Sequence, residues 1–173
     1  MTQETLNSTT VAQQAPRPPV MHSTITPIKL EGALYVVFDL ETMGFSKDSH
    51  HIIEIATLIL SPNGTPLFGH EECRFQSYIK PPNPMPSMIS ELTGITDSDT
   101  QNTPTFAQVA ASFFNFIQVM TTNYEVSNVT KIEQIILVAH NGKRFDVPFL
   151  QKSMKRYNVT DLWLSCQYQI AFH

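Results

Sequence analysis

The hydrophobic and polar positions of this chain alternate between two periods. Ala33–Leu40 is a nearly continuous apolar run and predicts a buried β-strand, and the overlapping stretch FDLETMG, Phe38–Gly44, ends it in two closely spaced carboxylates. His51–Leu60 is β-branched and too short for an ordinary helix, so it predicts a second strand, closed by the turn residues Ser61–Gly64 in a hairpin. Cys73, Phe75 and Ile79 alternate with Arg74, Gln76, Tyr78 and Lys80, the pattern of a half-buried third strand. A proline-rich stretch, Pro81–Pro86, stops the sheet, and Pro86–Leu92 predicts a short helix with Gly94 past its end. From Thr105 onward Phe106, Val109, Ala110, Phe113, Ile117 and Met120 recur at helical spacing, with Thr105 and Gln108 forming a capping box; these apolar residues read as core. A polar loop over Thr121–Thr130, a fourth strand over Ile135–Ala139, a helix over Asp146–Tyr157 and a short strand around Leu162–Leu164 complete the expected elements. Strands first, then helix, strand and helix predict an α/β fold, a mixed sheet with helices packed on it.

Composition narrows the setting. Residues 1–27 are rich in Thr, Gln, Ser and Pro and offer too few apolar groups to offset the entropy of ordering, so they predict a disordered tail before one domain over 28–173. A hydrophobic content of 42% with 15% charged residues fits a globular protein, and no run of eighteen apolar residues predicts a membrane span. Cys73 and Cys166 are far apart and lack a CxxC spacing, which points away from a disulfide framework or a zinc site and toward an intracellular location, with nucleus, cytoplasm and organelle all open. The net charge of −4 argues against a generic nucleic-acid coat protein. Yet Lys143, Arg144, Lys152, Lys155 and Arg156 share a segment whose one carboxylate is Asp146, which reads either as a local basic edge or as a solvated helix face.

Chemistry enters at the end of the first strand. Residues i and i+2 of a strand point to one face about 6.6–6.8 Å apart, so Asp39 and Glu41 lean toward one patch, where two negative charges repel unless a cation intervenes. Taken alone, the pair also fits a strand ending in a turn. His50, His51 and Glu54 lack the helical spacing that would converge them on zinc, and Glu54 reads as a polar residue at the strand end or behind the site. A second stretch, LVAHNGKRFDVPFL, Leu137–Leu150, runs from an apolar strand through His140, Asn141 and Gly142 into a helix opening at Asp146, with Pro148 in its first turn. Asp146 reads as an N-cap and also stands at a strand-to-helix corner where side chains of neighbouring strands meet.

Together FDLETMG, the following IIEIA, ELTGIT at Glu91–Thr96 and HNGKRFDVPFL resemble, in order and spacing, the first two motifs and intervening landmarks of the DEDD-type 3′-to-5′ exonucleases. The GlyLysArg interval after HisAsn is most similar to the three-prime repair exonuclease branch, and ThrGlyIleThr equally resembles the proofreading subunits of bacterial replicases. The resemblance covers Leu34–Leu150 and implies a ribonuclease H-like fold. It further implies that Asp39 and Glu41 bind two divalent metals, Mg²⁺ or Mn²⁺, with Asp146 assisting metal or water positioning. Two ions about 3.5–4 Å apart would then activate a water for in-line attack on the terminal phosphodiester, releasing nucleoside 5′-monophosphates. By the same resemblance Leu40, Thr42 and Met43 hold the terminal nucleotide and Asn141 lies near the strand. The implied partner is a single-stranded 3′ end of DNA or RNA, in repair, proofreading or RNA processing, and a homodimer is the assembly of the repair branch.

The pattern departs at its end. The branch requires a later H-x-x-x-x-D that supplies a general-base His and a last metal ligand on a final helix, and no such motif occurs in the 27 residues after Asp146. The expectation is therefore an exonuclease cut before its third motif, weak or inactive as this chain, since a general base alone is worth about 10²–10⁴-fold. The competing expectation is a non-catalytic nucleic-acid-binding remnant of the same fold.

Overall fold

A computed structural model describes residues 32–164 and 169–172. The tail expected over 1–27, the start of order at Ile28 and Cys166 lie outside the described residues. Five strands form one sheet: β1 (Ala33–Thr42), β2 (Ile52–Leu60), β3 (Arg74–Tyr78), β4 (Gln134–Val138) and β5 (Gln169–Phe172), in the order β3-β2-β1-β4-β5. β1 pairs antiparallel with β2, and β2 with β3, whereas β1 pairs parallel with β4, and β4 with β5. The antiparallel side is a meander. The parallel side needs crossovers, and helices supply them: α1 (Ser87–Thr93), α2 (Asp97–Thr100) and α3 (Phe106–Asn128) before β4, then α4 (Asp146–Arg156) and α5 (Asp161–Leu164) before β5.

The alternation along β1 decides which face is core. Leu34, Val36, Phe38 and Leu40 are buried in one cluster with Phe106, Val109, Phe113 and Ile117 of α3 and with Val147, Phe149, Leu150 and Met154 of α4. Their neighbours Tyr35, Val37 and Glu41 are half-buried and Asp39 is exposed, so the carboxylates project from the less covered face. A smaller cluster of Met43, Ile53, Met85, Ile89 and Ile95 joins α1 to the end of β1. Among the described residues no helix is long and apolar enough to cross a membrane.

Three sequence expectations are corrected. The polar loop expected over Thr121–Thr130 is instead the last part of α3, which runs to Asn128. There Thr121 and Thr122 donate to the carbonyls of Ile117 and Gln118 (2.7 and 3.0 Å), Asn128 does the same to Tyr124, and Glu125 accepts the Ile132 N–H at 2.7 Å. The strand expected at Leu162–Leu164 is the helical turn α5, opened by Leu162 N–H to Val159 O at 3.2 Å. Asp146 is the first helical residue of α4 and Phe145 occupies the N-cap position. Two elements had no sequence counterpart: β5, and α2, whose Thr96–Asp99 capping box was nonetheless a readable start signal.

Candidate active site

The register of β1 against β2 sets Asp39 opposite Ala56 and Glu41 opposite Glu54, and β3 then places Gln76 beside Ala56 and Tyr78 beside Glu54. Glu54 thus faces the same side as Asp39 and Glu41, and Gln76 holds it through Nε2 to Oε1 at 2.5 Å. Between Glu41 and Thr42 the pairing skips from Glu54 to Ile52 and leaves Ile53 as an extra residue. Such a bulge bends a strand and re-aims side chains, and here it lets the neighbouring Ile52 and Ile53 bury in different clusters. Beyond it, Thr42 Oγ1 donates to Gly44 O at 2.8 Å and Met43 N–H to His51 O at 2.9 Å. Leu40, Thr42 and Met43 are buried, so what they can offer a ligand is backbone.

Asp146 arrives from the other side. After β4 the chain turns through Asn141, which is exposed and takes a left-handed φ of 53°, and the Phe145 and Val147 N–H groups bond to Asn141 O and Gly142 O at 3.0 Å each. Gly142 is closely packed: a Cβ there would sit 3.0 Å from the Ala139 Cβ and 3.1 Å from its carbonyl oxygen, tight enough that its neighbour would have to give. This turn delivers Asp146 to a buried position, 2% exposed, beside β1. Burial pushes its carboxyl above the ordinary range, the Asp39 charge adds to that, and the backbone N–H groups of Asp146 and Leu40 and the nearby His140 pull the other way.

Glu41 is also held above the ordinary carboxyl range, first by burial, then by Asp39, Glu54 and Asp146. Three other carboxylates therefore bear on Glu41, from β1, β2 and α4. Among the described residues no three His, Cys, Asp or Glu side chains are closed into a set ready to hold an ion. The donor chemistry nevertheless fits a hard divalent cation: all-oxygen, anionic, and carrying repulsion that positive charge would offset. Because both shifts are upward, Glu41 and Asp146 cost the metal-free fold nothing below their unfolded-state values, and stability is lost as pH rises through their raised values. The rise in melting temperature on adding Mg²⁺ is accordingly expected to be larger at pH 7.5 than at pH 5; thermal unfolding with and without the cation at both values measures it.

The His50, His51 and Glu54 group does not converge. His51 Nδ1 meets Tyr157 OH at 2.8 Å and Arg156 Nη1 at 3.2 Å, while His50 Nδ1 accepts the Ser46 N–H at 3.0 Å. One site feature was not read from the sequence. Phe45, 75% exposed, pairs with Phe145 at a centroid separation of 6.2 Å, so two rings flank the chain positions that follow Glu41 and precede Asp146. The readable signal was an aromatic placed in a polar turn. Gly44 makes that turn. Its φ is 149° and a Cβ would lie 2.5 Å from the His50 ring. Gly44→Ala is expected to destabilise the fold by about 1–3 kcal/mol and to displace Phe45, read as a lower denaturant midpoint.

Residues 36–164 match the family described as exonuclease. The chain belongs to the exonuclease family. Its match to that family, its PolC-type relatives and its exonuclease I neighbours support a DEDD-type 3′-to-5′ member with the ribonuclease H-like fold. It is 33% identical over 132 residues to the PolC-type DNA polymerase III of Streptococcus agalactiae, a match that covers 76% of this chain and 8% of the polymerase. Exonuclease I shares the fold with a TM-score of 0.62 at 16% identity, over 82% of this chain and 28% of that one. The complex of Escherichia coli exonuclease I with a dT13 oligonucleotide superposes with a TM-score of 0.61 at 16% identity, over 81% and 27%. This exonuclease chain thus spans less than a tenth of the polymerase relative and under a third of the structural neighbours. The ribonuclease H-like fold expected from the sequence is the fold observed. Exonucleases of this family generally use divalent metal ions.

Proposed function

We propose that the chain hydrolyses the terminal phosphodiester of a DNA or RNA strand from its 3′ end, with Asp39, Glu41 and Asp146 holding Mg²⁺ or Mn²⁺. The observation that carries this reading is electrostatic. Glu41 and Asp146, contributed by strand and helix more than a hundred residues apart in sequence, converge on the end of β1 beside Asp39, and burial and neighbouring carboxylates push both toward neutrality, a cost that a bound cation would offset. When bound there, two divalent cations supply an activated water and positive charge for the leaving 3′ oxygen. The chain's own residues do the rest. Asp39, exposed, Glu41, half-buried, and Asp146, buried with the Leu40 and Asp146 N–H groups at its carboxylate, would hold the ions. The backbone at Leu40–Met43 lines the terminal nucleotide. Phe45 and Phe145 offer ring faces to bases, a contact worth about 1–3 kcal/mol per base and indifferent to sequence. Asn141, exposed, would lie near the strand.

The test uses one oligonucleotide labelled at its 5′ end, incubated with the 173-residue chain and Mn²⁺. A ladder shortening from the 3′ end, abolished by a 3′-terminal phosphate block, is the expected result. Binding without any shortening would favour the non-catalytic strand-binding module, and neither binding nor shortening would remove the reading altogether.

A further inference from the structure

Six of the chain's eleven Lys and Arg residues are Lys47, Lys143, Arg144, Lys152, Lys155 and Arg156, on a chain of net charge −4. The fold gathers four of them. Lys47, Lys152, Lys155 and Arg156, with Asp48, line a hollow of about 390 Å³ where the last turns of α4 meet the loop that follows β1. Arg156 is half-buried and builds the junction: Nη1 donates to His50 O at 2.6 Å and Nη2 to Lys47 O at 2.8 Å, so its charge is met first by carbonyl dipoles, with Asp48 near enough to feel it. Lys152 pairs with Asp48. Among the described residues Lys47 and Lys155 have no ion-pair partner. Four cations face one carboxylate, which leaves a surplus of three positive charges in a hollow whose walls contain no apolar side chain. Such a hollow suits an anion.

The position of the hollow says which anion. Its loop is the one that begins at Thr42–Gly44 and carries Phe45, and the Phe45 ring pairs with Phe145. Phe145, Lys152 and Arg156 are spaced by seven and eleven residues, so they lie along one flank of α4, with Lys152 about 10 Å along the axis from Phe145. A strand whose last bases rest on the two rings would run its backbone along this flank. An acidic peptide would have no reason to register with the rings. We propose that the hollow holds a backbone phosphate of the bound strand, upstream of the 3′ end that the carboxylates engage. This rests on the exonuclease reading above and adds to it a length-dependent, salt-sensitive grip.

The experiment compares the wild type with Lys47→Gln/Lys155→Gln, neither of which belongs to the carboxylate site or the ring pair. Binding of a thymidine dinucleotide and of a longer oligothymidylate is measured in EDTA, which separates binding from hydrolysis, over a series of salt concentrations. The expected result is unchanged dinucleotide binding, which also shows that the variant is folded, with weaker binding of the longer strand. The slope of log Kobs against log salt should fall in magnitude by about 0.7 for each phosphate that the variant no longer neutralises on a single strand. Equal slopes for the two proteins on the longer strand would overturn the inference and leave the exonuclease reading standing. So would lysine-dependent binding of polyglutamate with strand binding unaltered, which would assign the hollow to an acidic protein partner. Failure of the wild type to bind either oligonucleotide would overturn the exonuclease reading and the inference with it.

Discussion

Glu41→Ala is expected to lower Mn²⁺-supported 3′ digestion by about 10²–10³-fold, the range seen when one preorganised stabiliser of developing charge is removed. Asp39→Ala is expected to do the same, and the double variant little more, because groups that act as a unit are not additive. Stability should move the opposite way. Glu41 is a partly buried carboxyl among three like charges, and its removal relieves repulsion in the metal-free protein. A variant that loses digestion while melting no lower than the wild type separates a lost ligand from a lost fold. Equal digestion by wild type and both single variants would remove the metal assignment.

The second large effect is on the platform beneath Asp146. Phe149 is 0% exposed, lies three residues beyond Asp146 in the first turns of α4, and joins the cluster that binds this helix to the sheet face formed by Leu34, Val36, Phe38 and Leu40. Its ring also meets Phe145 at 5.3 Å. Phe149→Ala is expected to cost about 3–5 kcal/mol, a large share of the roughly 5–15 kcal/mol typical of a domain. Chemical denaturation reads this directly. Activity should fall with it even under conditions where the variant remains folded, since the carboxylate of Asp146 and the ring of Phe145 are both positioned by the same helix.

What could be read from the sequence depended on whether the signal was local. β1 to β4, the first turns of α3 and all of α4 follow from the period of their apolar positions, and the Asp39–Glu41 pair follows from the two-residue repeat of a strand. The end of α3 did not, because only Thr121 among its later residues is fully buried and the polar groups there satisfy the helix's own carbonyls. α5 and β5 are four residues each, too short to display a period. The position of Glu54 opposite Glu41 depends on strand register, and the stretch linking β1 to β2 is too long for turn geometry to fix it. The bulge at Ile53 was hidden for the same reason. Arg156, which clasps the loop at Lys47 and His50, is more than a hundred residues from its partners, so the basic hollow exists only in the folded chain.

The most direct test of the central claim is calorimetric titration of Mn²⁺ into the wild type and into Asp39→Asn/Glu41→Gln, which keeps shape while removing charge. The account predicts saturable binding by the wild type at neutral pH that weakens as pH falls toward the raised values of Glu41 and Asp146, and no saturable binding by the variant. Indistinguishable titrations for the two proteins would contradict it.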